Sequence, residues 1–165
     1  ENLAEYVTEL PLVVAHTGIK HHSGQFHKPL RERWLEGDPA VVKAYEDITA
    51  IAWEGKKAII NGDWDRLGYL MNENHRIQNS IADSGEQNNY MIKVALENGA
   101  VGAKLAGAGG GGTIIVLTFD PERTKAALLQ AGADRFVELD PHAQGVYLEY
   151  FGGLGYKESA PVKEN

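Results

Sequence analysis

Residues 102–113, Gly-Ala-Lys-Leu-Ala-Gly-Ala-Gly-Gly-Gly-Gly-Thr, constrain this chain more than any other stretch. Six of the twelve are glycine, and Gly109, Gly110, Gly111 and Gly112 run unbroken. Glycine loses more backbone freedom on folding than any other residue, so four in succession need a reason. Positive φ angles are one reason, and close approach of the backbone to another group is a second. A run of bare N–H groups also makes a concave nest for anions. The alternative is a glycine-rich hairpin turn with no ligand, although turns rarely need four glycines.

Two phosphate motifs come near to fitting. Gly107-Ala108-Gly109-Gly110-Gly111-Gly112 satisfies G-x-G-x-x-G, a fingerprint that must follow a strand and open a helix. Here it is followed by Thr-Ile-Ile-Val-Leu-Thr-Phe over 113–119, an apolar, β-branched run that reads as a buried strand. The Walker pattern fails too, because Thr113 and not lysine follows Gly112. The local order is strand, glycine loop, strand.

That stretch, running on into Ile-Ile-Val-Leu, resembles the third conserved motif of the GHMP kinases, a family that includes galactokinase, homoserine kinase, mevalonate kinase and phosphomevalonate kinase. Met71-Asn72-Glu73-Asn74 resembles the helix that precedes this motif. The resemblance covers most of the chain but only the C-terminal half of a typical member. It implies a ferredoxin-like C-terminal domain, ATP and magnesium as the cofactors, and a small-molecule substrate.

Composition sets the outer bounds. A chain of 165 residues, 43% apolar and 24% charged, has the profile of an ordinary globular domain. The net charge of −7 and the lack of a basic run argue against nucleic acid as the main partner. No apolar run approaches the roughly 20 residues of a membrane span. With no cysteine there is no disulfide and no thiolate metal site, which fits a cytoplasmic protein.

Along the chain, 11–16 (Pro-Leu-Val-Val-Ala-His) reads as a short buried strand. Residues 1–18 are expected to form a seam with an N-terminal domain, 19–156 the GHMP-kinase-like domain, and 157–165 a disordered tail. Residues 19–27 read as a polar loop holding His21, His22 and His27, with no further ligand nearby to complete a metal set. Lys20, His21 and His22 are candidates to face an acidic or phosphorylated substrate. Helices follow over 28–36, from Pro39 with Asp38 as its cap, and from Trp64 with Asp63 as its cap. The polar group Asn72, Glu73, Asn74 and His75 reads as a helix–helix contact, with a pocket role for Asn72 or His75 as the alternative. Ser84 and Gln87 have capping-box spacing for a helix with Tyr90, Met91, Val94 and Ala95 inward. Strands over 101–106 and 113–119, a helix capped by Asp120, and strands over 135–139 and 145–151 complete the order. Segregated helices with a small, mainly antiparallel sheet make the class α+β.

By the resemblance, 107–112 closes over the phosphate end of the cleft. Lys104 either helps to neutralise phosphate or points to solvent. The family's Pro-x-x-x-Gly-Leu-Gly-Ser-Ser loop, its catalytic carboxylate and its magnesium ligands have no counterpart here. The chain alone is therefore expected to be half of an active site, with no catalytic or metal-binding residue of its own and the N-terminal half as its partner. A sugar or sugar phosphate is the favoured substrate, with mevalonate-type and homoserine-type substrates open. A homodimer is a further partner class. A non-catalytic ferredoxin-like module that binds an anion or pairs with a subunit is the reading from a different class.

Overall fold

The computed structural model describes residues 6–7, 9–19, 23–140 and 143, with the side chains of 23–27 outside that description. The order is β1 (Leu12–His16), α1 (Ser23–Leu35), α2 (Pro39–Asn61), α3 (Trp64–Ile81), α4 (Glu86–Glu97), β2 (Gly102–Ala106), β3 (Thr113–Leu117), α5 (Pro121–Gln130) and β4 (Arg135–Val137). The four strands form one antiparallel sheet in the order β2-β3-β1-β4. β1 and β2 therefore run parallel with β3 between them, and β3 and β4 run parallel with β1 between them. That is the doubled split βαβ of a ferredoxin-like fold, so the α+β class expected from the sequence holds.

Local chemistry sets the helix ends. Asp38 Oδ1 accepts the Ala40 N–H at 2.9 Å, Asp63 Oδ1 that of Arg66 at 3.0 Å, and Asp120 Oδ1 that of Arg123 at 3.1 Å. Each caps a helix start whose N–H groups would lack partners. Pro39 and Pro121 occupy first helical positions, where a missing N–H costs nothing. Gly62, with φ +64°, closes α2 in the left-handed region.

The sheet is covered on both faces because its side chains alternate with a period of two. Val13, Ala15, Ala103, Ile114 and Val116 meet Met91, Ile92 and Ala95 of α4 and Leu128 of α5. Leu117, with Leu12 and Ile115, meets Ala58 of α2 and Leu67 and Met71 of α3. A third cluster joins Ala44 of α2 to Ile77 and Ile81 of α3.

Three local expectations are corrected. The segment read as a loop to residue 27 is already helical from Ser23, and α1 continues through Pro29. The capping box does not form: Gly85 is the cap residue of α4 and supplies no side chain, while the buried Ser84 hydroxyl has no partner. Tyr90, expected inward, is exposed. The expected strand over 145–151 and the tail over 157–165 lie outside the described residues. Among the described residues, no helix is long and apolar enough to cross a membrane.

Candidate functional site

The loop between β2 and β3 is built from backbone that only glycine adopts freely. Gly107, Gly109, Gly110, Gly111 and Gly112 have φ of +112°, +102°, +76°, +146° and +87°. Every described residue with positive φ is a glycine. Packing adds a second demand. A Cβ on Gly109 would strike the carbonyl oxygen of Asp83, and one on Gly111 would lie 2.8 Å from Ile19 Cγ2. Gly107 has open space, so its φ alone requires glycine. The glycine run thus meets the needs of a strained, tightly packed loop as well as those of an anion nest.

The loop is pinned from two sides. On the β1 side, the Thr17 N–H donates to the Gly112 carbonyl at 2.8 Å, and the Gly112 N–H donates to Thr17 Oγ1 at 3.1 Å. On the α4 side, the Gly110 N–H donates to the Ser84 carbonyl at 3.1 Å. Asn88 Nδ2 donates to the carbonyls of Ser84 at 2.6 Å and Gly111 at 2.9 Å. Gln78 Nε2 on α3 holds the Gly107 carbonyl at 3.0 Å. Among the described residues, the N–H groups of Gly110 and Gly112 have protein partners, and those of Gly107, Ala108, Gly109 and Gly111 have none.

Lys104 lies on β2 and is half-buried, so it does not extend freely into solvent. Its Nζ donates to the Leu105 carbonyl at 2.6 Å. It shares a groove of about 280 Å³ with Ile51, Leu67, Leu70, Met71 and Asn74. Burial holds its pKa below the ordinary lysine value. Among the described residues, no carboxylate pairs with it.

The polar group on α3 has structural work. Asn72 Oδ1 accepts the Ala103 N–H at 2.9 Å, and its Nδ2 donates to the Val101 carbonyl at 3.3 Å. One side-chain amide thus takes up backbone groups along β2, the outer strand among the described residues. His75 Nε2 bonds Asn89 Oδ1 at 2.9 Å, joining α3 to α4. Of this group His75 makes the helix–helix contact, while Asn72 bonds the β2 strand and Glu73 pairs with Arg76 on its own helix. At the end of β1, His16 Nδ1 accepts the Gly18 N–H at 2.8 Å, which leaves Nε2 as the ring's donor.

Lys20, His21 and His22 lie outside the described residues. Among the described residues, no three His, Cys, Asp or Glu side chains come together as a metal set. Thr17 and Asn88, the loop's anchors, were not singled out from the sequence. A polar residue one helical turn past a glycine cap, facing a glycine run, is a weak signal before the fold is known.

Residues 56–137 match the family described as GHMP kinases C terminal. The chain is 34% identical over 115 residues to probable glucuronokinase 2 of Arabidopsis thaliana, a match spanning 68% of this chain and 30% of that protein. It is 27% identical over 146 residues to the mevalonate kinase of Pyrococcus furiosus, spanning 86% of this chain and 44% of that protein. Its fold matches the crystal structure of L. major mevalonate kinase in complex with R-mevalonate with a TM-score of 0.67 and 26% identity, covering 76% of this chain and 40% of that one. The chain therefore spans less than half the length of these relatives. Family match, fold and glycine loop agree: this chain carries the C-terminal domain of the GHMP kinases.

Proposed function

We propose that this chain is the C-terminal half of an ATP-dependent kinase that transfers the γ-phosphoryl group to a hydroxyl of a sugar or sugar phosphate. The observation that supports the reading is the pinned glycine loop, four of whose N–H groups have no protein partner among the described residues. Phosphoryl transfer depends mostly on positioning and on stabilising charge. N–H dipoles locked by Thr17, Ser84 and Asn88 need no reorganisation as charge shifts among phosphate oxygens. Lys104, a half-buried cation with no carboxylate beside it among the described residues, is our candidate to meet an anionic substrate group. ATP supplies the phosphoryl group. By the family resemblance the magnesium ligands belong to the N-terminal half; among the described residues no three His, Cys, Asp or Glu side chains come together.

The substrate class rests on the sugar-acid kinases among the relatives, with glucuronate as the first compound to try. A mevalonate-type substrate is the second reading, favoured by the longer reach of the mevalonate kinase matches along this chain. The test is ATP-dependent phosphorylation by the two halves together, over a panel of uronic acids, neutral sugars, sugar phosphates and mevalonate. Turnover of one class that is abolished by Gly110→Asp supports the proposal. Catalysis by the purified 165-residue chain alone would overturn its half-site character.

A further inference from the structure

We infer that Asn88 is the positioning residue that fixes the conformation of the glycine loop, acting from behind it through a two-carbonyl clamp; its bearing on phosphoryl transfer rests on the kinase reading above. Asn88 is fully buried in the first turn of α4. Its Nδ2 reaches two carbonyls that belong to different parts of the chain, Ser84 just before α4 and Gly111 within the loop. The Ser84 carbonyl also accepts the Gly110 N–H, so two hydrogen bonds tie the consecutive loop residues Gly110 and Gly111 to the start of α4, and a third joins Asn88 to Ser84.

The geometry admits few other side chains. Two carbonyl acceptors served by one side chain need a group with two N–H donors at short reach. Asparagine has them. Aspartate presents only acceptors when ionised, leucine presents nothing, and serine has a single proton. The orientation of the amide follows for the same reason, because the reversed amide would set oxygen against two oxygens. Asn88 Oδ1 is left buried without a partner. A buried acceptor is seldom left unpaired, so the amide is oriented by what its nitrogen must hold. Backbone contact reinforces the clamp: a Cβ on Gly85 would lie 3.0 Å from the Gly110 carbonyl carbon, so α4 and the loop meet with no room for a side chain.

This differs from the Thr17 anchor. Thr17 extends the β1–β3 ladder by one more residue and holds the loop's end. Asn88 holds the middle, where the candidate phosphate donors Gly109 and Gly111 flank the anchored Gly110. Loss of the clamp frees those donors' direction while both strand ends stay paired.

The test reads the loop directly, by NMR of isotope-labelled glycine amides in the 165-residue chain, comparing wild type with Asn88→Leu and Asn88→Asp. The clamp predicts that Gly110 and Gly111 shift and broaden in both variants at neutral pH while Gly62 and Gly132 stay in place. It also predicts that acid restores the loop signals in Asn88→Asp, because a protonated carboxyl regains one donor, and does not restore them in Asn88→Leu. A residue that only fills space would make the two variants respond to pH alike, and that result would overturn the proposal. So would loop signals unchanged in both. Should the variants fail to fold, the wild-type Asn88 side-chain amide protons decide: slow exchange with water supports the clamp, and exchange as fast as an exposed asparagine overturns it. In the kinase assembled from both halves, Asn88→Leu is expected to lower kcat about tenfold or more, with a smaller change in KM for ATP. A loop freed in the spectra with kcat unchanged would show that the loop does not position the phosphate, whereas no ATP-dependent turnover by the wild-type assembly would sink the kinase reading and leave the clamp to the spectra.

Discussion

Gly68 of α3 and Gly102 of β2 touch backbone to backbone: a Cβ on Gly102 would lie 2.5 Å from the Gly68 Cα. In the other direction, a Cβ on Gly68 would lie 2.6 Å from Val101 Cγ1 and 2.7 Å from the Val101 carbonyl oxygen. Backbone cannot give way as a side chain can. Gly68→Ala and Gly102→Ala are each expected to destabilise the fold by about 2–3 kcal/mol through forced separation of α3 from the sheet. Gly55 of α2 is the control, since its nearest neighbour, Leu67 Cδ1, would lie at an ordinary 3.8 Å. Gly55→Ala should raise stability by up to about 1 kcal/mol, because a helix interior prefers alanine. Urea midpoints of the three variants check the contrast.

The Asn72 contacts on the β2 edge predict a loss of a different kind. Asn72→Ala leaves the Ala103 N–H without its partner. A loss of about 1–3 kcal/mol follows from the unpaired group. The same change opens the outer edge of the sheet to pairing with another chain. Light scattering alongside denaturation should show self-association in this variant and not in a surface control such as Lys93→Ala.

Within the glycine loop, the positions should rank by what a Cβ would strike. Gly107→Ala meets open space and suffers only its φ, about 1 kcal/mol. Gly109→Ala suffers its φ and also drives a methyl into the Asp83 carbonyl oxygen. The second variant should be the less stable by a further 1–3 kcal/mol or so, read as a lower unfolding midpoint. Equal losses would show that the loop shifts as a unit to admit the methyl.

His75 carries a pH dependence. Burial lowers its pKa from 6.5, opposed by its hydrogen bond to Asn89, and Lys104 lowers it further. The folded state then binds the proton less readily than the unfolded chain. Stability from this residue is fully present above about pH 6.5 and is lost as pH falls through the folded value. The expected result is a urea midpoint that falls on acidification below that point, with the slope reduced in His75→Gln. An unchanged slope would assign the acid sensitivity to other groups.

Much of this architecture was legible in the chain. Asp38-Pro39, Asp63 and Asp120-Pro121 marked three helix starts because cap chemistry is local. The apolar run after Gly112 marked β3, and the glycine stretch pointed to the family. What stayed hidden depends on distant neighbours. Ser84 and Gln87 have the spacing of a capping box, yet the Ser84 carbonyl and the Gln87 side chain are engaged elsewhere, by the loop and by the Ala131 carbonyl. The polar residues over 19–27 suggest a loop, yet α1 already runs from Ser23. Asn72 reads as a helix–helix or pocket residue and Asn88 draws no notice until β2 and the loop are set beside them. Local signals name elements; an amide that serves a strand 30 residues away leaves no local signal.

The position of β1 has a consequence for how the chain comes into being. Leu12 pairs with Leu117, and Val14 with both Ile115 and Val137. Synthesis delivers β1 first, yet every strand that flanks it comes after four helices. Closing so long a loop is slow. Newborn β1, with Val13 and Ala15 bound for the core, waits for β3 and β4 while α1 to α4 leave the ribosome. The sheet is completed from the other end of the chain, when the turn of glycines brings β3 back alongside it.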